Sequence, residues 1–157
     1  MNIKKVLIGI ALPVLLLTGC GKVEDAVPAK EPAPSEITAA IMSEITIPSA
    51  VEKDKDGIGA YFTVDTAQLE DLSVYVCGSG AFPDELTVLK MTSAEQAQAA
   101  AEAVQAHLDS QIELYRDYTP NEMYKLDEAS VTVKGDYVML FVCENDARAM
   151  EIAESLF

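Results

Sequence analysis

Few residues in this 157-residue chain are suited to chemistry: one histidine, His107, three cysteines, Cys20, Cys77 and Cys143, and acidic neighbours at Glu70-Asp71, Asp84-Glu85 and Asp127-Glu128. A serine or cysteine nucleophile needs a base beside it, and His107 is the only histidine. It stands beside the apolar stripe of its helix, so a solvated rim position is expected rather than a catalytic or ligand role. Glycoside hydrolysis needs two carboxylates facing each other across a sugar, which neighbours on one strand or turn do not provide. Gly78-Ser79-Gly80 has no helix directly after it and no lysine near it, so it does not read as a phosphate cradle. In Asp54-Lys55-Asp56-Gly57, aligning Gly57 with the invariant glycine of a calcium loop puts Glu52 first and Thr63 where a bidentate Glu belongs. A turn with solvated carboxylates is the expectation there. The sequence therefore predicts no catalytic residue, no metal ligand and no cofactor.

The three cysteines have different contexts. Cys20 ends a segment in which Lys4 and Lys5 precede an apolar run from Val6 to Leu17. That run is shorter than the roughly 20 apolar residues a membrane-spanning helix requires, and the layout is that of a secretory signal. Leu17-Thr18-Gly19-Cys20 resembles the bacterial lipobox. The resemblance implies a diacylglyceryl thioether on Cys20, cleavage between Gly19 and Cys20, and acylation of the new amino terminus. Cys77 and Cys143 remain, an even number in an oxidising compartment, and are candidates for a disulfide. Both sit inside apolar strand patterns, which favours two free, buried thiols.

Removing residues 1–19 leaves nine basic residues against 26 acidic ones, a formal charge of −17. Such a chain repels nucleic-acid phosphate and anionic headgroups, so nucleic-acid binding is excluded. Its acidity keeps a secreted protein soluble and is compatible with cationic partners.

Behind Cys20 the composition shifts. Pro28, Pro32 and Pro34 among Ala, Glu and Lys make residues 20–35 an extended tether. Fifteen residues at about 3.1 Å each give a reach of about 45 Å. Residues 36–157 should form one α+β domain. Ser35 is positioned to cap a helix to Glu44 with Ile37, Ile41 and Ile45 inward. Tyr61, Phe62 and Val64 should pin the following segment to the core. Leu72–Cys77 and Leu86–Met91 alternate as strands and form a first hairpin. Thr92-Ser93-Ala94-Glu95 is a capping box opening the longest helix, to about Tyr118, with Ala97, Ala101, Val104, Leu108, Ile112 and Tyr115 as its stripe. After a helical turn at 121–127, Ala129–Val133 and Tyr137–Cys143 form a second hairpin. The latter strand is apolar on both sides, so it should be covered on both. Asn145 or Asp146 caps a last helix with Ala149, Ile152, Ala153 and Leu156 inward. The fold expected is an antiparallel four-stranded sheet of two hairpins, covered by the long central helix and the C-terminal helix.

From about Tyr61 to Phe157 the chain resembles a bacterial family known as domain of unknown function 4358, small lipoproteins of Clostridia-type Gram-positive bacteria. The likeness rests on Leu17–Cys20, Leu72–Val76, Asp84-Glu-Leu-Thr-Val-Leu-Lys90, the alanine-rich helix with Tyr115 and Tyr118, Lys134-Gly-Asp-Tyr-Val138 and Leu156-Phe157. It implies compartment and architecture, and no activity, substrate or cofactor.

Two functions remain to be separated. The first is a lipoprotein tethered through Cys20 outside the membrane, serving as a binding or assembly module for an envelope protein. The loop Gly78–Asp84 and an exposed Tyr61-Phe62 region are its candidate contact surface. The second is a cell-envelope hydrolase using carboxylates, which requires a cleft with two facing carboxylates and at least one raised pKa.

Overall fold

A computed structural model describes residues 31–157. The signal segment 1–19, Cys20 and the tether as far as residue 30 lie outside the described residues. In order the chain forms α1 (Pro34–Glu44), β1 (Ala50–Lys53), two 3-10 turns (Gly57–Ala60, Thr66–Gln68), β2 (Leu69–Cys77), β3 (Glu85–Met91) and α2 (Ala94–Tyr118). A third 3-10 turn (Pro120–Glu122), α3 (Met123–Glu128), β4 (Val131–Lys134), β5 (Tyr137–Val142) and α4 (Asp146–Glu154) follow. The class is α+β, and both hairpins form.

The sheet has five strands rather than four, in the order β1-β2-β3-β5-β4, each neighbour antiparallel. The unexpected strand, β1, is four residues long, and Ala50, Val51 and Glu52 are exposed, so it carries no apolar alternation to read. It is held by close backbone approach. The Gly78 N–H donates to the Ser49 carbonyl at 3.0 Å, and a Cβ on Gly78 would lie 2.4 Å from Val51 Cγ2. Only glycine fits there.

Period-two alternation divides the core in two. On one face of the sheet, α2 and the Ile58–Phe62 segment cover Val74, Val76, Leu89, Met91, Val138 and Leu140. On the other, α1 and α4 cover Leu86, Val88, Tyr137, Met139 and Phe141. Every residue of β5 is buried, as its two-sided apolar pattern requires. A buried hydroxyl pair, Thr38 to Ser73 at 2.7 Å, fastens α1 to β2.

Helix ends depart slightly from expectation. Pro34 and Ser35, read as the end of the tether, form the first turn of α1. Its N-cap is Ala33, whose N–H donates to the Glu36 carboxylate at 3.1 Å. In α2 the cap is Ser93, not Thr92: its hydroxyl accepts from the Gln96 N–H at 3.2 Å. The Thr92 hydroxyl instead donates to the Gln68 side chain at 2.8 Å, tying the helix start to the 3-10 turn before β2. The side chain of Asn145 caps α4, accepting from the Arg148 N–H at 3.0 Å. In the second hairpin, Gly135 takes a positive φ of 60° in the two-residue turn.

Candidate functional site

Asp84 and Glu85 are adjacent at the start of β3, and both are buried, 2% and 4% exposed. Strand alternation sends them opposite ways, and each meets a different base.

Asp84 meets Lys125 of α3, a residue on which the sequence raises no expectation. The ammonium lies 2.9 Å and 3.2 Å from the two carboxylate oxygens, and 2.8 Å from Glu122 Oε2. Burial works against the charged ammonium, but hydrogen bonds to Glu122 and Asp84 outweigh it and hold the Lys125 pKa above its ordinary value. Burial pushes the Asp84 carboxyl above the usual carboxylate range, and Lys125 only partly offsets this. Asp84 and Lys125 border a groove of about 460 Å³ at the ends of α1 and α4, together with Glu44, Glu144 and Arg148. Each of these other carboxylates is also occupied. Arg148 donates to both oxygens of Glu44 at 2.9–3.0 Å, and the Tyr124 hydroxyl donates to Glu144 at 2.6 Å.

Glu85 points toward α2 and meets His107. The imidazole Nε2 is 2.7 Å from Glu85 Oε2, and the Thr87 hydroxyl donates to the other oxygen. His107 is thus buried at 6% exposure, not solvated at a rim. The reason is a long-range partner: a buried carboxylate on β3 needs a hydrogen-bonding cation or donor, and the edge of the α2 stripe supplies it. Phe62 and Tyr61 stand edge-on to the imidazole at 5.4 Å and 6.0 Å between centroids. Phe62 is likewise buried, at 4%, so it belongs to the core and not to an exposed surface. These side chains line a shallow groove of about 430 Å³ with Ser110 and Gln111. The Ser110 hydroxyl donates to the Ala106 carbonyl at 2.9 Å.

Cys77 and Cys143 are free and buried. β3 lies between their strands: the Cys77 N–H donates to the Asp84 carbonyl at 3.0 Å, and Val142, just before Cys143, pairs with Glu85. Two strand spacings are about 9.6 Å, beyond the Cα separation a disulfide spans. Burial raises the Cys77 thiol, but hydrogen bonds from Ser79 and neighbouring backbone prevail and bring its pKa below the ordinary value. Burial raises Cys143. His107 is engaged by Glu85 on the α2 side of the sheet and by neither thiol. Among the described residues no group of three His, Cys, Asp or Glu side chains could hold a metal ion. The Asp54 carboxylate accepts the Gly57 N–H at 2.8 Å within its turn. Glu70, Asp71, Asp127 and Glu128 are exposed.

The two ends of β3 differ. At its far end Lys90 bridges Glu31 and Glu70 at 3.2 Å and 3.4 Å, and the buried Tyr137 hydroxyl donates to the Pro32 carbonyl at 2.9 Å. The chain arriving from residue 30 is therefore fastened at that end. Six residue steps away, about 20 Å along the strand, lie Asp84 and the loop Gly78–Pro83. Here the Tyr115 hydroxyl donates to the Gly80 and Phe82 carbonyls at 3.0 Å each. Phe82, in this loop, is 39% exposed. Among the described residues no helix is long and apolar enough to cross a membrane.

No curated protein matches this chain, and no solved structure matches it. Residues 44–143 match one family over most of the folded part, from the end of α1 to the residue after β5. The strands, both buried hydrogen-bonded pairs and the aromatic loop all fall inside that match, and the chain belongs to the family described as Domain of unknown function (DUF4358).

Proposed function

We propose that the chain is a lipoprotein anchored through Cys20 on the extracytoplasmic face of the membrane, and that its folded part is a binding or assembly module. The anchor is supported by Lys4-Lys5, the apolar run and Leu17-Thr18-Gly19-Cys20. Each buried methylene contributes about 0.8 kcal/mol, so two or more acyl chains hold stably where one does not. The observation that carries the binding role is the fastening of Glu31 and Pro32 to the Lys90 end of the sheet. A chain tethered there presents the opposite end, with its aromatic loop, to whatever lies beyond the surface. Palmitate-analogue labelling of cells tests the anchor. The wild-type chain takes up label and Cys20→Ala takes up none; an unlabelled wild-type chain overturns the anchor.

A second reading, a carboxylate hydrolase of the cell envelope, draws on one observation: Asp84, with its raised carboxyl, borders a groove that Glu44 and Glu144 share. Against it, Lys125 holds both Asp84 oxygens, and Arg148 and Tyr124 hold the other two carboxylates. A carboxylate engaged in this way is a poorer general acid or base than an unengaged one. Turnover of cell-wall material by the purified chain would replace the binding reading with this one.

A further inference from the structure

We propose that the exposed aromatic cluster around Phe82, Tyr118 and Tyr124 is a docking surface for a protein segment that surrounds an apolar anchor side chain with lysine or arginine. This deepens the binding reading above and rests on it.

Among the described residues six large hydrophobic side chains are exposed, and four of them, Phe82, Leu114, Tyr118 and Tyr124, gather at this one end. Scattered singly they would need no explanation; gathered, they mark a contact site. They are linked one to the next. Leu114 and Tyr118 are one helical turn apart on α2. Tyr118 stands edge-on to Tyr115 at 6.3 Å, and Tyr115 holds the Gly80 and Phe82 carbonyls. The Lys125 ammonium lies 5.7 Å from the Phe82 ring centroid and 5.8 Å from that of Tyr124.

This cluster is pre-organised. Tyr115 fixes the backbone under Phe82, and Glu144 fixes the Tyr124 hydroxyl. Side chains already held in place lose little freedom on binding, and tyrosine is enriched where binding energy concentrates. The charge of Lys125 is satisfied inward by Asp84 and Glu122, so it steadies the rings and is not offered to a partner. The rim carries exposed Glu113, Asp117 and Glu144 beside Arg116, on a chain of formal charge −15. That rim repels anionic polymers and anionic lipid and draws a basic one. Tyrosine and phenylalanine faces then receive the anchor.

The chain contains no Trp, so a bound Trp peptide fluoresces without protein background. The probe is a helical lysine–leucine peptide with one Trp, titrated into the full chain in neutral detergent. The expected result is saturable binding that weakens about tenfold or more in Phe82→Ala/Tyr118→Ala. Met42→Ala, an exposed side chain on α1, leaves it unchanged. Glu113→Lys/Asp117→Lys, which touches no packing, weakens it by a similar factor, and so does replacing the peptide lysines with glutamate. Equal affinity of the aromatic double variant and wild type, or equal binding of the glutamate peptide, overturns the proposal. The same titration on Cys20→Ala separates the two readings. An unlabelled wild-type chain with intact peptide binding removes only the anchor, and failed peptide binding in a labelled wild-type chain removes only this surface.

Discussion

Each end of β3 is marked by a lysine between two carboxylates, and the two settings could hardly be less alike. Lys90 reaches Glu31 and Glu70, whose side chains are 67% and 53% exposed. Lys125 reaches Asp84 and Glu122, which are 1% and 21% exposed. Water screens the first set, and the second lies where a lone charge has nothing else to pair with. A buried ion pair is weak evidence of stability, since an apolar pair of similar volume often serves as well. What Lys125 adds that an apolar side chain would not is an ammonium 5.7 Å and 5.8 Å from the Phe82 and Tyr124 ring centroids.

Three measurements break or sharpen this contrast. The largest effect belongs to Lys125→Met, which leaves Asp84 buried without its cation. We expect a loss of about 3–5 kcal/mol in denaturant unfolding, with much of it returned when Asp84→Asn is added. A loss under about 1 kcal/mol would make the two ends equivalent.

Next comes the alkaline limb. The Lys125 pKa is raised in the folded chain, so its contribution is complete below its unfolded value of 10.5 and drains away as pH climbs through the folded value. Burial also raises the phenols of Tyr115 and Tyr137, which adds alkaline loss to wild type and variant alike. The difference between the unfolding midpoints of wild type and Lys125→Met isolates the lysine. It should be nearly constant from pH 8 to 10 and shrink above that.

The smallest effect is at the other end. The hydrogen bond to Glu31 pushes the Lys90 pKa up to about 12, yet its partners are solvated. Lys90→Ala should cost less than about 1 kcal/mol, and 0.5 M salt should erase most of the difference. A larger, salt-resistant loss would show that the tether end is built as firmly as the loop end.

Much of the architecture was legible because it is written locally. The α2 stripe, the two-sided apolar run of β5 and the Asn145 cap each follow from residues a few positions apart. β1 was not, because Ala50-Val51-Glu52-Lys53 has no periodic pattern and pairs only where Gly78 lets a neighbour close in. The two buried pairs, Asp84 with Lys125 and Glu85 with His107, were invisible for a related reason. His107 lies 22 positions from Glu85 and Lys125 lies 41 from Asp84, distances that no helical or strand period connects. The one available hint was an Asp-Glu pair opening an apolar strand, which asks for hydrogen-bond donors from elsewhere. Of the suspected contact regions, the Gly78–Asp84 loop does carry exposed Phe82, whereas Phe62 turned inward because Ile58 and the α2 face offer it a core.

The sheet is bordered on one side by β1 and on the other by β4, each four residues long, while the strands between them run six to nine. Short borders bearing Glu52, Lys53 and Lys134 give an incoming strand little backbone to zip onto and a charged side chain to desolvate. Copies crowded shoulder to shoulder would therefore resist growing into a continuous ribbon, and association would be left to side chains rather than to the peptide backbone.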